Sequence, residues 1–399
     1  MTGFQRLLTA GYRVFFLAAG LFAVFAMIVW EGWLGIHAAG GMVSDMPFAM
    51  APHIWHAHEL IFGYAAAAIA GFLMTAAPSW VGSEAARTRF FALASGVWLA
   101  GRLAVWFSGS LPAGLVMALD LSFLPVIGAK VAVLLLKRPK PRQMVFLVVL
   151  AVFFTANLMV HLEWAGLTAD TAYGGLRAGL VTLSALIMVL GGRVTPAFTR
   201  NAMLRTGRET GLPRDPLPLA VAAIAAALAL PVLTMAGLDG PVFAGVAMIA
   251  GLSGLARLTG WRGVWTLNQP ILWSLHLGYA MNAAGLIALG LAALGLGSEI
   301  AALHLLGIGA VGGMTLAVMS RAALGHSGRP LVAPGPLALA YALLPLAAVA
   351  RSAASEWPAL YYPGVLTAGG LWALAFTLYL AELWPLFTGP RMDAGKETK

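Results

Sequence analysis

Cysteine is absent from the 399-residue sequence, and charged side chains are scarce. Without cysteine the chain can form no disulfide, offer no thiolate to a metal and attach no c-type haem covalently. Any bound metal must therefore be held by histidine, methionine, carboxylate or backbone oxygen. Charged residues make up only 10% of the sequence, against ~25% in soluble domains, which excludes an ordinary soluble domain.

Long hydrophobic runs, by contrast, fill most of the sequence. Hydrophobic residues make up 60% of it, and uncharged stretches recur at the length of about twenty residues that a helix needs to cross a membrane. This pattern predicts an all-α, polytopic membrane helix bundle. The first run, Val14 to Ile36, is too long for the apolar region of a signal peptide, so we interpret it as the first span.

Hydropathy and the positions of glycine and proline predict about twelve spans. They form a single integral membrane domain over residues 1–399, in which the inner loop 199–218 separates two halves that do not align with each other. The predicted spans are 14–36, 54–78, 89–109, 113–137, 144–165, 176–200, 217–236, 241–257, 270–295, 299–321, 335–354 and 361–386.

The basic residues predict how the bundle is oriented. If the N-terminus faces the cytoplasm, all but four of the 24 lysines and arginines fall in inner segments, as the positive-inside rule requires. Both termini are therefore predicted to be cytoplasmic. The net charge of +9 is expected to meet anionic membrane lipids, and not nucleic acid.

Three of the eight histidines stand at the start of the second predicted span, in "APHIWHAHEL". On a regular helix His53, His56 and Glu59 share one stripe, whereas His58 lies about 200° around the axis from His56. His56 and His58 therefore cannot ligate the same ion from an unbroken helix. Glu59 could fix a histidine tautomer or relay a proton, so it is the candidate catalytic residue.

Two further histidines fall at the same predicted depth on other spans. His161 is near the end of the fifth span and His304 is near the start of the tenth. Because imidazole suits iron, copper and zinc, this coincidence predicts a metal or haem site to which His53, His56 or His58 also contributes. The alternative is that these histidines only bond water or lipid headgroups.

Other polar residues fall on the inner side of the predicted bundle. His276 lies deeper than an anchor needs to, so it is a candidate ligand of metal or haem. Arg193 and Arg321 either anchor their helices in the headgroup region or bind haem propionates, because guanidinium suits carboxylates. His326 is predicted to lie in a loop.

Two sequence features predict contacts between helices. Arg102 and Asp120 stand at equal distances from the centre of the tight turn 108–114, so an intramembrane ion pair with a structural role is predicted. The glycine-rich run 307–314 indicates either close helix contact or room for a flat macrocycle beside His304.

Three motifs resemble the NnrS family: "HIWHAHELIFGYAAAAIAGFLMTAAPSWVG" (53–82), "GGRVTPAFTRN" (191–201) and "ALHLLGIGAVGGMTLAVMSRAALGHSGRPL" (302–331). The similarity extends over roughly 14–386. It implies a multi-pass protein of the bacterial inner membrane that contains haem and copper. It also implies a role in denitrification or the nitric oxide response, as protection from nitrosative stress.

The leading hypothesis is therefore a protein that binds or turns over nitric oxide at a histidine-ligated centre of haem b, copper or both. Turnover would also need an electron donor in the membrane. The alternative is a secondary transporter of a small solute without a redox cofactor, and a signalling or assembly protein is a third interpretation. A transporter is disfavoured because the sequence shows no duplicated pair of broken helices around midplane charges.

Overall fold

The computed structural model describes residues 2–392, and in that range the chain folds into thirteen helices without a strand. The prediction of an all-α membrane bundle is confirmed. The helices are α1 Gly3–Leu7, α2 Gly11–Ala38, α3 Pro52–Val81, α4 Thr88–Trp106, α5 Ala113–Lys137, α6 Pro141–Trp164, α7 Ala172–Arg205, α8 Leu217–Met235, α9 Pro241–Thr259, α10 Pro270–Ala293, α11 Glu299–His326, α12 Gly335–Glu356 and α13 Pro358–Thr388.

Eleven of these helices in the described range are long and apolar enough to cross a membrane. The exceptions are α1, which has only 5 residues, and α4, which has 19 residues but carries Arg89 and Arg102. Each of the predicted spans falls on a helix. Of these helices, only α4 is not apolar enough to count as a candidate membrane span. The cytoplasmic location of the termini stays a prediction.

Proline and glycine set several helix ends. Helices α3, α6, α9 and α10 each begin at a proline, where the missing N–H would have had no partner within the helix. Helix α3 ends at Gly82, whose φ of 64° lies in the left-handed region that favours glycine. The start of α3 at Pro52 places the histidine-rich motif in the first turns of that helix.

Two of the long helices widen into π-helix. The π-helical segments are Glu59–Ala65 within α3 and Leu305–Gly312 within α11. Each begins directly after a histidine, His58 in the first case and His304 in the second. Because π-helical turns are rare and are often found at functional sites, these segments mark His58 and His304 as candidate site residues.

The described chain packs into two compact units. Unit 1 takes in the chain up to Gly179, Met319–Leu331 and the chain from Phe376 onward, and unit 2 takes in Leu180–Val318 and Val332–Ala375. The prediction of a single membrane domain is not tested by this division and stays a prediction.

Each unit has its own buried core. In unit 1, Phe15 and Phe16 of α2 are fully buried, and so is most of the alanine-rich middle of α3. In unit 2, Leu286 and Leu289 of α10 are fully buried, as is Leu306 in the π-helical segment of α11.

Candidate functional site

Unit 1 buries a group of six polar side chains from four helices, which we call the buried ionic cluster. None of the six is more than 6% exposed. The members are His58 and Glu59 of α3, Arg102 of α4, Asp120 of α5, and Asn157 and His161 of α6. So many buried polar groups can be stable only when they pair with one another.

Arg102 joins the two carboxylates of the cluster. Its Nη1 donates to Oε1 of Glu59, and its Nη2 forms an ion pair with Oδ1 of Asp120. The predicted ion pair between Arg102 and Asp120 is therefore confirmed. Gly63 permits this arrangement, because a Cβ at that position would lie 2.8 Å from Nη1 of Arg102 and 2.6 Å from the ring of Phe22.

The two histidines contact these carboxylates directly. Nδ1 of His58 lies 2.9 Å from Oε1 of Glu59, and Nε2 of His161 lies 2.7 Å from Oδ2 of Asp120. Trp164 covers both imidazoles, with ring centroids 4.8 Å and 5.2 Å away. His161 therefore lies close to the second span, as predicted, and its neighbour there is His58, with the ring centroids 5.4 Å apart.

The hydrogen bonds locate a proton in the cluster. Asp120 as a carboxylate can only accept, so Nδ2 of Asn157 donates to it at 2.9 Å and Oδ1 of Asn157 faces Nε2 of His58 at 2.9 Å. Nε2 of His58 must therefore carry a proton. Because Nδ1 of His58 faces Glu59, a second proton must lie between those two groups.

Charge balance gives the same answer. Two carboxylates and one guanidinium leave one negative charge, which a buried site disfavours. One additional proton, held by His58 as imidazolium or by Glu59 as carboxylic acid, neutralises the cluster. Hydrogen-bond pattern and charge balance therefore agree that the pair of His58 and Glu59 stores one proton.

The cluster also supplies ligands for a metal ion. The candidate ligand atoms of His58, Asp120 and His161 all lie within 4.8 Å of one another. Two imidazole nitrogens and one carboxylate oxygen suit copper, zinc or iron. Since histidine ligates through a deprotonated nitrogen, metal binding here must displace the proton that Nε2 of His58 carries.

This donor set fits a single ion and does not fit haem. Nε2 of His58 lies 3.5 Å from Oδ2 of Asp120, and Nε2 of His161 approaches the same oxygen. Nε2 of both imidazoles therefore points at one carboxylate, an arrangement that suits one small ion and not a macrocycle.

The other two histidines of the motif are outside the cluster. His53 is exposed, and His56 stacks on Trp30 with the ring centroids 4.7 Å apart. Glu59 is buried beside His58, so it joins the cluster while His53 and His56 of the predicted stripe do not. The helix widens into π-helix from Glu59 onward.

His304 lies in unit 2 at the start of the other π-helical segment. Its Nδ1 lies 2.7 Å from the carbonyl oxygen of Ile300 and must donate to it, which leaves the lone pair on Nε2. Metal-ligating histidines commonly show this arrangement. The prediction that His304 shares a site with His58 or His161 stays a prediction.

The glycine run 307–314 is closely packed. A Cβ on Gly309 would lie 2.8 Å from the Met281 side chain, and one on Gly312 would lie 2.5 Å from the ring of Trp372. These contacts favour the close-packing interpretation of the run at both positions over room for a macrocycle.

Unit 2 contains a buried arginine–carboxylate pair that the sequence did not single out. Arg257, which is 1% exposed, donates from Nε and Nη2 to the two oxygens of Asp215, each at 2.9 Å. Its Nη1 donates to the hydroxyl of Tyr279 at 2.8 Å, and its Nη2 also reaches the carbonyl oxygen of Gly192. The paired glycines of "GGRVTPAFTRN" permit this close approach, because a Cβ at Gly192 would lie 2.6 Å from Nη2 of Arg257.

The inner-side candidates have separate surroundings. His276 is buried, and its Nε2 lies 2.9 Å from Oγ1 of Thr199. Arg193 is exposed and Arg321 is buried. His326 is exposed at the end of α11, where its ring stacks on Tyr12. The haem-related roles of His276, Arg193 and Arg321 stay predictions.

Fold and site together define a polytopic helical membrane protein with a buried candidate metal centre of two histidines and one carboxylate. A family model described as "NnrS protein" matches residues 6–391, and the chain therefore belongs to the NnrS family. The resemblance inferred from the three motifs is confirmed. No curated protein matches the chain.

Proposed function

We propose that this protein handles nitric oxide in the bacterial inner membrane and so protects the cell from nitrosative stress. The observation that carries the proposal is the buried arrangement of His58, Asp120 and His161, in a chain of the NnrS family. We propose copper as the ion at this centre, because two imidazoles and one carboxylate suit it. For haem b the candidate ligand is His304, whose Nε2 retains its lone pair.

The location of the cluster suits a small apolar substrate. The cluster is buried in unit 1, and nitric oxide is a small neutral molecule that dissolves in the hydrocarbon and needs no aqueous channel. Copper, when bound, supplies a redox-active centre to which nitric oxide can bind. An electron donor in the membrane is required if the molecule is turned over.

The side chains of the cluster have separate roles in this proposal. His58, Asp120 and His161 hold the ion, and Arg102 offsets the negative charge of the carboxylates. Glu59 accepts a hydrogen bond from Nδ1 of His58, which keeps Nε2 free for the ion, and it can relay a proton to a bound substrate. Trp164 excludes water from the two imidazoles.

Copper analysis of purified variants tests the proposal. We expect His58→Ala and His161→Ala to lose copper from the protein. His37→Ala and His326→Ala, which change histidines of unit 1 outside the cluster, serve as matched controls and should retain it. The same preparations should show an optical spectrum that changes when nitric oxide is added to the wild type.

Two results would contradict the proposal. If His58→Ala and His161→Ala both keep the wild-type copper content, these two histidines are not the copper ligands. Colourless and metal-free wild-type protein, purified from cells supplied with copper and haem, would favour the secondary transporter instead.

A further inference from the structure

Unit 1 contains a cavity of about 350 Å³ beside the buried ionic cluster. Its walls are mostly aromatic, and the two polar residues on them, Glu59 and Arg102, belong to the cluster. The aromatic wall includes Phe22, Trp55, Trp98 and Trp106. The volume lies in the range of small-molecule sites, which are typically apolar with a few polar groups that orient the ligand.

The cavity reaches the apolar surface of unit 1. Leu99, Leu103 and Phe107 also line it, and each is about half exposed. All three side chains belong to α4 or to the residue that follows it. A ligand that enters between them would come from the hydrocarbon of the membrane, so it must be lipid-soluble.

Two residues that line the cavity carry buried donors without partners in the described chain. Within residues 2–392, neither Nε of Arg102 nor Nε1 of Trp55 has a hydrogen-bond acceptor. Arg102 is 6% exposed and Trp55 is 1% exposed, so water has little access to either donor. Buried N–H groups are nearly always satisfied, and two of them on one cavity point to a ligand with acceptor oxygens.

Charge then restricts the ligand further. Arg102 already pairs with the carboxylates of Glu59 and Asp120, so the cavity offers no uncompensated positive charge to an anion. A neutral acceptor such as a carbonyl oxygen suits the two donors. Flat aromatic walls favour a planar ring, because rings stack face to face with an offset or edge to face.

We propose that this cavity binds the ring of a lipid-soluble quinone. Its carbonyl oxygens accept hydrogen bonds from Nε of Arg102 and Nε1 of Trp55, and its isoprenoid chain leaves past Leu99 and Leu103. The proposal that a quinone binds rests only on the shape and the donors of the cavity. Only the further step, that the quinone pool is the membrane electron donor, rests on the proposed function.

Quinone binding by the purified full chain in detergent micelles tests this inference. The probe is a decyl-substituted benzoquinone, and the bound amount is read from its absorbance during equilibrium gel filtration. Leu103→Trp fills the cavity and should weaken binding about tenfold. Leu93→Trp is the matched control, because Leu93 lies on the same helix, is also an exposed leucine (59% against 50% for Leu103) and does not line the cavity.

A second variant tests the hydrogen bond. Trp55→Phe keeps an aromatic ring but removes the indole N–H, and should weaken quinone binding about two- to tenfold. Decylbenzene and decanoate, tested as competitors, separate the classes of ligand. If decylbenzene competes as well as the quinone, or decanoate competes better, the assignment to a neutral carbonyl ligand is overturned.

Copper content is measured in the same preparations, so that the two proposals fail separately. Saturable quinone binding by copper-free protein would support the cavity and contradict the metal centre. Copper-loaded protein that binds no quinone above the level of empty micelles would contradict the cavity and leave the metal centre intact. Equal binding by Leu103→Trp and Leu93→Trp would place the quinone elsewhere.

Discussion

Arg257 and Arg102, two of the buried arginines in residues 2–392, are held in different ways. Arg257 in unit 2 faces one carboxylate, that of Asp215, and each of its guanidinium nitrogens donates a hydrogen bond. Arg102 in unit 1 faces two carboxylates, and its Nε has no acceptor within residues 2–392. Arg257 therefore has one carboxylate for its single charge and a partner for every nitrogen. Arg102 has two carboxylates for its single charge, and its Nε donates to no acceptor in that range.

This difference distinguishes a structural charge from a functional one. A buried guanidinium with one carboxylate and complete hydrogen bonding stabilises a fold without further ligands. The cluster around Arg102 is neutral only if it also holds a proton, and a bound cation can take the place of that proton. We therefore infer that Arg257 fixes the packing of unit 2, whereas Arg102 supports a site for chemistry.

The largest expected effect comes from removing each arginine. Arg102→Leu leaves two buried carboxylates without a cation and should lower the free energy of unfolding by about 3–5 kcal/mol. Arg257→Leu should cost less, about 1–3 kcal/mol, because the side chain of Asp215 is 28% exposed and water can solvate it. Unfolding titrated in mixed micelles measures both. A greater loss in Arg257→Leu would contradict the comparison.

A second experiment keeps both arginines and adds a methyl group to the glycine that faces each of them. A Cβ at Gly63 would lie 2.8 Å from Nη1 of Arg102, and one at Gly192 would lie 2.6 Å from Nη2 of Arg257. We expect Gly63→Ala and Gly192→Ala each to lower the free energy of unfolding by about 1–3 kcal/mol. Only Gly63→Ala should also weaken copper binding.

Gly96→Ala is the control for both substitutions, because no atom lies within 4 Å of a Cβ built there. It should leave stability and copper binding close to wild type, or raise stability slightly through helix propensity. Copper binding that weakens equally in Gly192→Ala and Gly63→Ala would mean that the arginine of unit 2 also supports the metal centre.

The stored proton predicts the smallest effect, a dependence of copper affinity on pH. Copper displaces a proton from the cluster, so a higher proton concentration opposes binding. Affinity should therefore fall as the pH falls, by about tenfold per pH unit for each proton released. Isothermal titration in buffers of different ionisation enthalpy counts that proton. Affinity that does not change with pH would contradict the proton assignment.

The sequence predicted the parts of this structure that depend on periodicity and depth. Every span that hydropathy predicted falls on a helix, and all of these helices except α4 are long and apolar enough to cross a membrane. The turn 108–114 placed Arg102 beside Asp120 correctly, since two antiparallel helices bring residues at equal distances from a turn to equal depth.

Other parts of the site depend on details that periodicity does not contain. Glu59 contacts the imidazole of His58, the residue before it, although helix periodicity grouped it with His53 and His56. Asn157 gave no signal because a lone amide carries no charge, yet it bridges His58 and Asp120. Asp215 was missed because it lies in a loop and reaches Arg257 only in the folded chain.

Copper bound per chain in two isosteric variants tests the central claim most directly. Asp120→Asn removes a ligand from the cluster of unit 1, and Asp215→Asn makes the same chemical change beside Arg257 in unit 2. We predict that Asp120→Asn purifies without copper while Asp215→Asn keeps the wild-type amount. Wild-type copper in Asp120→Asn would contradict the assignment of the metal centre to His58, Asp120 and His161.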